Sequence, residues 1–335
     1  MNEQSRRRPV YDELMARDDA PVGSSWGAFP LNPGRGTANL AGPDELLAAV
    51  PAVQDGLVLG LDFALDAFDP QPSRGRALPV HEVLNPKTNQ FDDVVRLYPQ
   101  ASSQVDGLRH RGLDGGLLYD GIPVARDTAG GAEGPGGAAA TLGIHVLADL
   151  PIATRGVLID IAGSRRTTGS PIDHAAGEPL SLSLLLGVIE EQGTDLRRGD
   201  VVMIHTGWAE WYLGLSAEQR AKVVRAGRYT GLEQSRELLR WVWDTGIAVL
   251  ATDSFAVEVM PPVAGTPFAA TSPDDRGMMH QELIAKLGVI LGELWRLDEL
   301  ARACRRTARW ESLIVVKPLA LTGGVGSPAN ATALR

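Results

Sequence analysis

Residues 197–208 read RRGDVVMIHTGW, and the parsing of the whole chain follows from them. The apolar, β-branched run VVMIH (201–205) predicts a short buried strand that runs into TGWAEWY. Four further runs have the same character: LVLGL (57–61), VLIDI (157–161), IAVLA (247–251) and SLIVV (312–316). Between them lie helical patterns. PDELLAAV (43–50) places proline at a first helical position with acids in the first turn, and LSLLLGVIEEQG (182–193) ends on a stop glycine. EQSRELLRWVWDTG (233–246) repeats apolar residues at helical spacing. Such alternation predicts an α/β fold.

The length of 335 residues suits one large α/β domain or two smaller ones, and no composition break marks a linker. The expectation is one domain with long loops over 23–331, preceded by a polar tail over 1–22. With 44% apolar and 22% charged residues, the chain can bury an ordinary core. A net charge of −9 leaves no basic stripe to neutralise phosphates, which excludes a nucleic-acid partner; the run Arg6–Arg8 is expected to be solvated. The start lacks the apolar core of a signal peptide and no 18 apolar residues run together, so a cytoplasmic protein with no membrane partner is expected. The single Cys304 rules out an internal disulfide and a thiolate cluster, and it falls in the helical LDELARAC as a small buried hydrophobe. The Gly-rich 128–141 lacks the lysine of a phosphate-binding loop and reads as a surface loop. LTGGVGSPAN (321–330) reads as a turn after the last strand.

Three groups of residues could carry chemistry. Six histidines are present without HExxH or CxxC, so any metal site must be assembled from distant segments. In QASSQVDGLRH (100–110), an extended backbone would put Gln100, Gln104 and Asp106 on one face, with His110 on it or just past a bend at Gly107. The bland alternative is a turn in which Asp106 bonds its own backbone. In the second group, QELIAKLG predicts a short helix ending on Gly288 and VILGEL a strand. His280 then lies at the helix start, where protonation is disfavoured, and Glu293 lies near the strand end. The third group, His205, Trp208, Asp253 and Glu258, follows the carboxyl ends of strands, where sites of α/β folds gather.

Taken together these segments resemble the cyclase family of metal-dependent hydrolases, which includes bacterial kynurenine formamidase and isatin hydrolase. The likeness runs through SSWGAF, GTANL, QASSQVDGLRH, LLYDGIP, RGVLIDIAG, RRGDVVMIHTGW, ATDSFAVEVMPP, the 280–293 segment and GGVGSPAN. The family signature HxGTHxDxPxH falls here on Gln100, Gln104, Asp106 and His110. Two expected histidines are thus glutamines, a form similar to the long Q...SQxDGLxH branch of the family. His205 stands where many relatives carry an arginine.

The resemblance implies a swivelling β/β/α fold, a homo-oligomer (dimer or tetramer) and one divalent metal ion held by Asp106, Gln104, Gln100, His280 and Glu293. Manganese or zinc would be the ion, with manganese or magnesium favoured because amide oxygen is a harder donor than imidazole. It implies hydrolysis of a small cyclic amide, lactone or N-formyl amine, with His110 taking a proton from water and Asp106 beside it. Trp26, Tyr119, His205, Trp208 and Asp253 are expected around the substrate by position. Two other functions compete: a metal-independent cyclase or dehydratase using His110 and Asp106, and a non-catalytic small-molecule binding protein on the same scaffold.

Overall fold

The computed structural model describes residues 8–113, 115–124, 137–269 and 277–335. Thirteen strands are present among them. In chain order they are β1 (Val58–Gly60), β2 (Val80–Lys87), β3 (Gln90–Arg96), β4 (Gln104–Asp106), β5 (Ile152–Ile159), β6 (Pro179–Leu180) and β7 (Val201–Ile204). Then follow β8 (Gly231–Leu232), β9 (Val249–Thr252), β10 (Ile290–Glu293), β11 (Glu311–Val316), β12 (Gly326–Pro328) and β13 (Ala331–Leu334).

Nine of these form one sheet in the order β1-β13-β11-β5-β7-β9-β10-β4-β12. Its centre, β5-β7-β9-β10, is parallel, and both flanks are antiparallel. The four central strands are buried almost throughout, as apolar strands covered on both faces must be. Helices Leu182–Gln192 and Arg236–Thr245 form as their spacing predicts. Each starts on a serine cap, Ser181 or Ser235, and stops on a left-handed glycine, Gly193 or Gly246. The expected single α/β domain is therefore observed.

Several boundaries differ from the sequence expectation. LVLGL is an exposed edge strand, not a buried one. VLIDI ends as a strand at Ile159, because Asp160 caps the helix Ile161–Thr167 through Gly163 N. QELIAKLG winds as a single π-helical stretch, Gln281–Lys286, with Gly288 at φ +67°. No side chain fits at 288, since a Cβ would lie 2.6 Å from the Tyr119 ring. SLIVV is not the last strand: GGVGSPAN contributes β12, and β13 follows it. The reason is that β12 covers the otherwise open edge of β4.

Two further expectations concern the ends and loops. Arg8 is not simply solvated, because it stacks 4.4 Å over the Trp243 ring and donates to Asp244 O. Tyr11 and Leu14 of the helix Tyr11–Met15 belong to the main core. Most of the Gly-rich 128–141 lies outside the described residues, and Ala138–Leu142 forms a 3₁₀ turn.

Candidate metal centre

The register of β4 against β10 builds the site. Gln104 pairs with Glu293 and Asp106 with Leu291, so the two segments, far apart in sequence, meet side by side on one sheet face. His280 precedes the π-helical stretch that leads into β10 and closes the third side. One oxygen each from Asp106 and Glu293 and one His280 nitrogen lie within 4.8 Å of one another, and all three residues are buried.

Every neighbour of this cluster has a definite task. Gln100 Nε2 donates a short hydrogen bond to Asp106 Oδ1, and Gln104 Nε2 donates another to Glu293 Oε2. His280 Nδ1 lies 2.5 Å from Glu258 Oε1, while its Nε2 lies 3.1 Å from Glu293 Oε1. Glu258, wholly buried, is itself held by Met279 N at 2.6 Å and Gln234 Nε2 at 2.8 Å. Asp106 Oδ2 has no hydrogen-bond partner among the described residues. Burial, and then the charge of Glu293, push the Asp106 carboxyl up to about 7. Burial works against the His280 cation, but the bonds to Glu258 and Glu293 outweigh it and raise the ring to about 10.

A divalent cation fits this arrangement. Two carboxylates and an imidazole converge, one buried oxygen is orphaned, and the far nitrogen of the imidazole is anchored on a carboxylate, as ligating histidines usually are. Its charge would offset the burial and the neighbouring Glu293 charge that together hold Asp106 near 7.

The glutamines do not meet the cluster as expected. Gln104 Oε1 accepts from Arg76 Nη1 at 3.2 Å, so the amide is turned with its nitrogen to Glu293. Gln100 likewise gives its nitrogen to Asp106 and, at 3.0 Å, to His110 Nδ1. An amide nitrogen is a donor, not a ligand, so both glutamines orient carboxylates, and the argument for manganese or magnesium from amide oxygen loses its ground.

The same bond bears on the base role expected of His110. Burial, then the charges of Arg111, His280 and Arg76, hold its pKa well below the ordinary value, so the ring is neutral. With Nδ1 accepting from Gln100, its proton sits on Nε2, 4.0 Å from Asp106 Oδ2. The ring is thus a donor beside the orphaned carboxylate oxygen.

Above the cluster opens a cleft of about 420 Å³, into which Arg76, His110, His280 and Glu293 project with Phe255 and Met278. None of the five residues expected around the substrate lines it. His205 is buried with Nδ1 2.7 Å from Asp160 Oδ1, and Asp253 accepts from Thr206 N and Gly207 N, both at 2.7 Å. These two tie together the ends of β5, β7 and β9. Trp208 stacks on Tyr212 at 5.0 Å in a small second core. Trp26 donates to Ala285 O at 2.8 Å, and the Tyr119 hydroxyl lies 3.2 Å from Ser25 Oγ, both beyond the far end of the π-helical stretch.

Glu258, placed by the sequence only among residues that follow strand ends, orients His280, and Arg76 at the cleft was not singled out at all. For Glu258 a signal existed: in AVEVM an acid occupies the inward phase of an apolar run, which only a paired, buried acid can do. Arg76 sits in the loop QPSRGR, where no pattern distinguishes it from a surface cation.

Comparison with known proteins agrees with the geometry. The family described as "Putative cyclase" matches residues 50–259, so the chain belongs to the cyclase family. A crystal structure of a novel cyclase is 28% identical with a TM-score of 0.76, covering 93% of this chain and 99% of that one. Isatin hydrolase A from Labrenzia aggregata, bound to benzyl benzoate, is 15% identical with a TM-score of 0.52, covering 87% and 97%. An isatin hydrolase bound to the product analogue thioisatinate is 14% identical with a TM-score of 0.55, covering 87% and 95%. At such identities these two speak for the fold alone, which is the one the resemblance implied. No curated protein matches the chain.

Proposed function

We propose that the protein is a metal-dependent hydrolase of a small cyclic amide, lactone or N-formyl amine. The observation that carries this reading is the buried Asp106–His280–Glu293 cluster, with its orphaned carboxylate oxygen, at the floor of a cleft. Asp106, His280 and Glu293 would hold the ion, which when bound polarises a carbonyl and acidifies water. Gln100 and Gln104 fix both carboxylates, and Glu258 fixes the imidazole. His110 offers Nε2–H to the oxygen on which charge develops, and the apolar wall at Phe255 and Met278 excludes water. The substrate is a small molecule.

The test is metal analysis of the purified chain, with a panel of lactones, formamides and imides, isatin included. About one divalent ion per chain is expected, lost in Asp106→Asn and His280→Ala, and turnover is expected to stop with a chelator. Protein that stays metal-free after supplementation would overturn the reading. A second reading, a metal-independent cyclase or dehydratase, is favoured by the fact that His280 already satisfies both nitrogens on carboxylates. Activity surviving the chelator but not His110→Ala would select it.

A homo-oligomer belongs to the same proposal. The β2–β3 hairpin is exposed along its whole length and carries Val83, Phe91 and Val94 in the open, an apolar arm suited to a second copy.

A further inference from the structure

Arg76 is a half-buried cation at the rim of the cleft, and among the described residues no carboxylate lies within ion-pair distance of it. Its side chain commits one nitrogen, Nη1, to two neutral acceptors, Gln100 O and Gln104 Oε1. A guanidinium carries five N–H donors in a planar fork, so the remaining donors have no protein acceptor among the described residues. The two carbonyls hold the fork in place before any ligand arrives. The one acid that lines the cleft, Glu293, is committed to His280 and Gln104.

Most of the remaining wall is apolar, with Phe255, Ala256, Met260, Pro261, Pro262 and Met278, while Ser73 and a second arginine, Arg111, line the cleft beside the two histidines. Phe255, Met260 and Pro261 also face an adjoining hollow of about 520 Å³, so there is room for a body larger than one ring. A guanidinium fixed opposite the apolar part of the wall matches a ligand with a planar anionic group on an apolar frame. A neutral ligand leaves the Arg76 fork unmatched.

We propose that Arg76 is a specificity-determining residue that selects an apolar ligand bearing a carboxylate for this cleft. That the ligand is the substrate or product of hydrolysis rests on the function proposed above; the preference for an apolar acid does not.

The matched pair phenylacetate and phenylacetamide, alike in shape but not in charge, tests it by calorimetric or NMR titration of the full-length protein, with manganese and after chelation. Phenylacetate is expected to bind at least about tenfold tighter in both conditions, as a charge-assisted pair allows. Arg76→Met should bring the two ligands within about twofold, and Arg76→Lys should keep part of the gap. If Arg76→Met does not fold, Arg76→Gln replaces it with the same expectation. Equal binding of the pair by the wild type overturns the proposal, as does a gap that survives loss of the guanidinium charge. A gap present only with manganese also overturns it, because the ion would then be reading the acid. An intact preference in a protein that neither binds metal nor hydrolyses the panel sinks the hydrolase reading alone.

Discussion

At the scale of single residues, the chemistry turns on which way two amides point. Gln100 gives both N–H groups away, one to Asp106 and one to His110, and this makes His110 a donor. If that role is right, kcat should fall by roughly 10²–10⁴ in His110→Ala but by clearly less in His110→Gln, which keeps an N–H. Equal losses would return His110 to the role of proton acceptor. Glu258 makes a second prediction. Glu258→Gln should weaken manganese binding by roughly 10–100-fold in a titration, whereas Asp253→Asn, equally buried in another network, should leave it unchanged. Asp106, His280 and Glu293 were legible in the sequence because their motif survives there. Arg76 was not, since a loop arginine has meaning only once its two carbonyl partners are in place.

At the scale of elements, the site is a product of strand register. Slipping β4 against β10 by one residue would send Gln104 and Asp106 to the opposite face and separate the cluster. The register is held from the other side by β12, where Gly326 pairs with Asp106. Gly326 also makes space: a Cβ there would lie 2.7 Å from Gln100 Cδ. The obstructed atom is the end of a flexible side chain, so Gly326→Ala should cost about 1 kcal/mol or less in a denaturant melt. It should nonetheless displace Gln100 and lower metal affinity about tenfold or more. A large stability loss with unchanged metal binding would contradict this account. The sequence pattern placed β10 and the central strands well, because apolar runs of that length have few other uses. It read β12 as a turn because GSP is short and rich in breakers, and only its partner β4 makes it a strand.

At the scale of the whole molecule, His205 braces three central strands instead of binding substrate. Burial opposes its charge, yet Asp160 and Glu210 prevail and lift it from 6.5 to about 9, with Arg305 closing on Asp160 from the last helix. A folded pKa above the unfolded one means stability that is complete below about 6.5 and fades as pH rises through about 9. The loss should reach at most roughly 3 kcal/mol. Urea melts across that range should show the slope, and His205→Asn should flatten it; an unchanged slope would rule the brace out. The exposed hairpin makes the other prediction at this scale. Light scattering should find more than one chain per particle, and Phe91→Asp with Val83→Asp should shift the particle towards one chain. A monomeric wild type would refute it.

The amino-acid sequence alone determined the α/β class, the order of the buried strands and the three residues that converge as a candidate metal site, because apolar period and residue chemistry are local properties. The tertiary structure alone decided what those residues meet: which amide atom faces a carboxylate, that a histidine after β7 ties strand ends together, and that a loop arginine reaches the cleft. Hydrogen-bond direction, register and charge compensation depend on groups far apart in the chain, and they exist only after the sheet has closed around them.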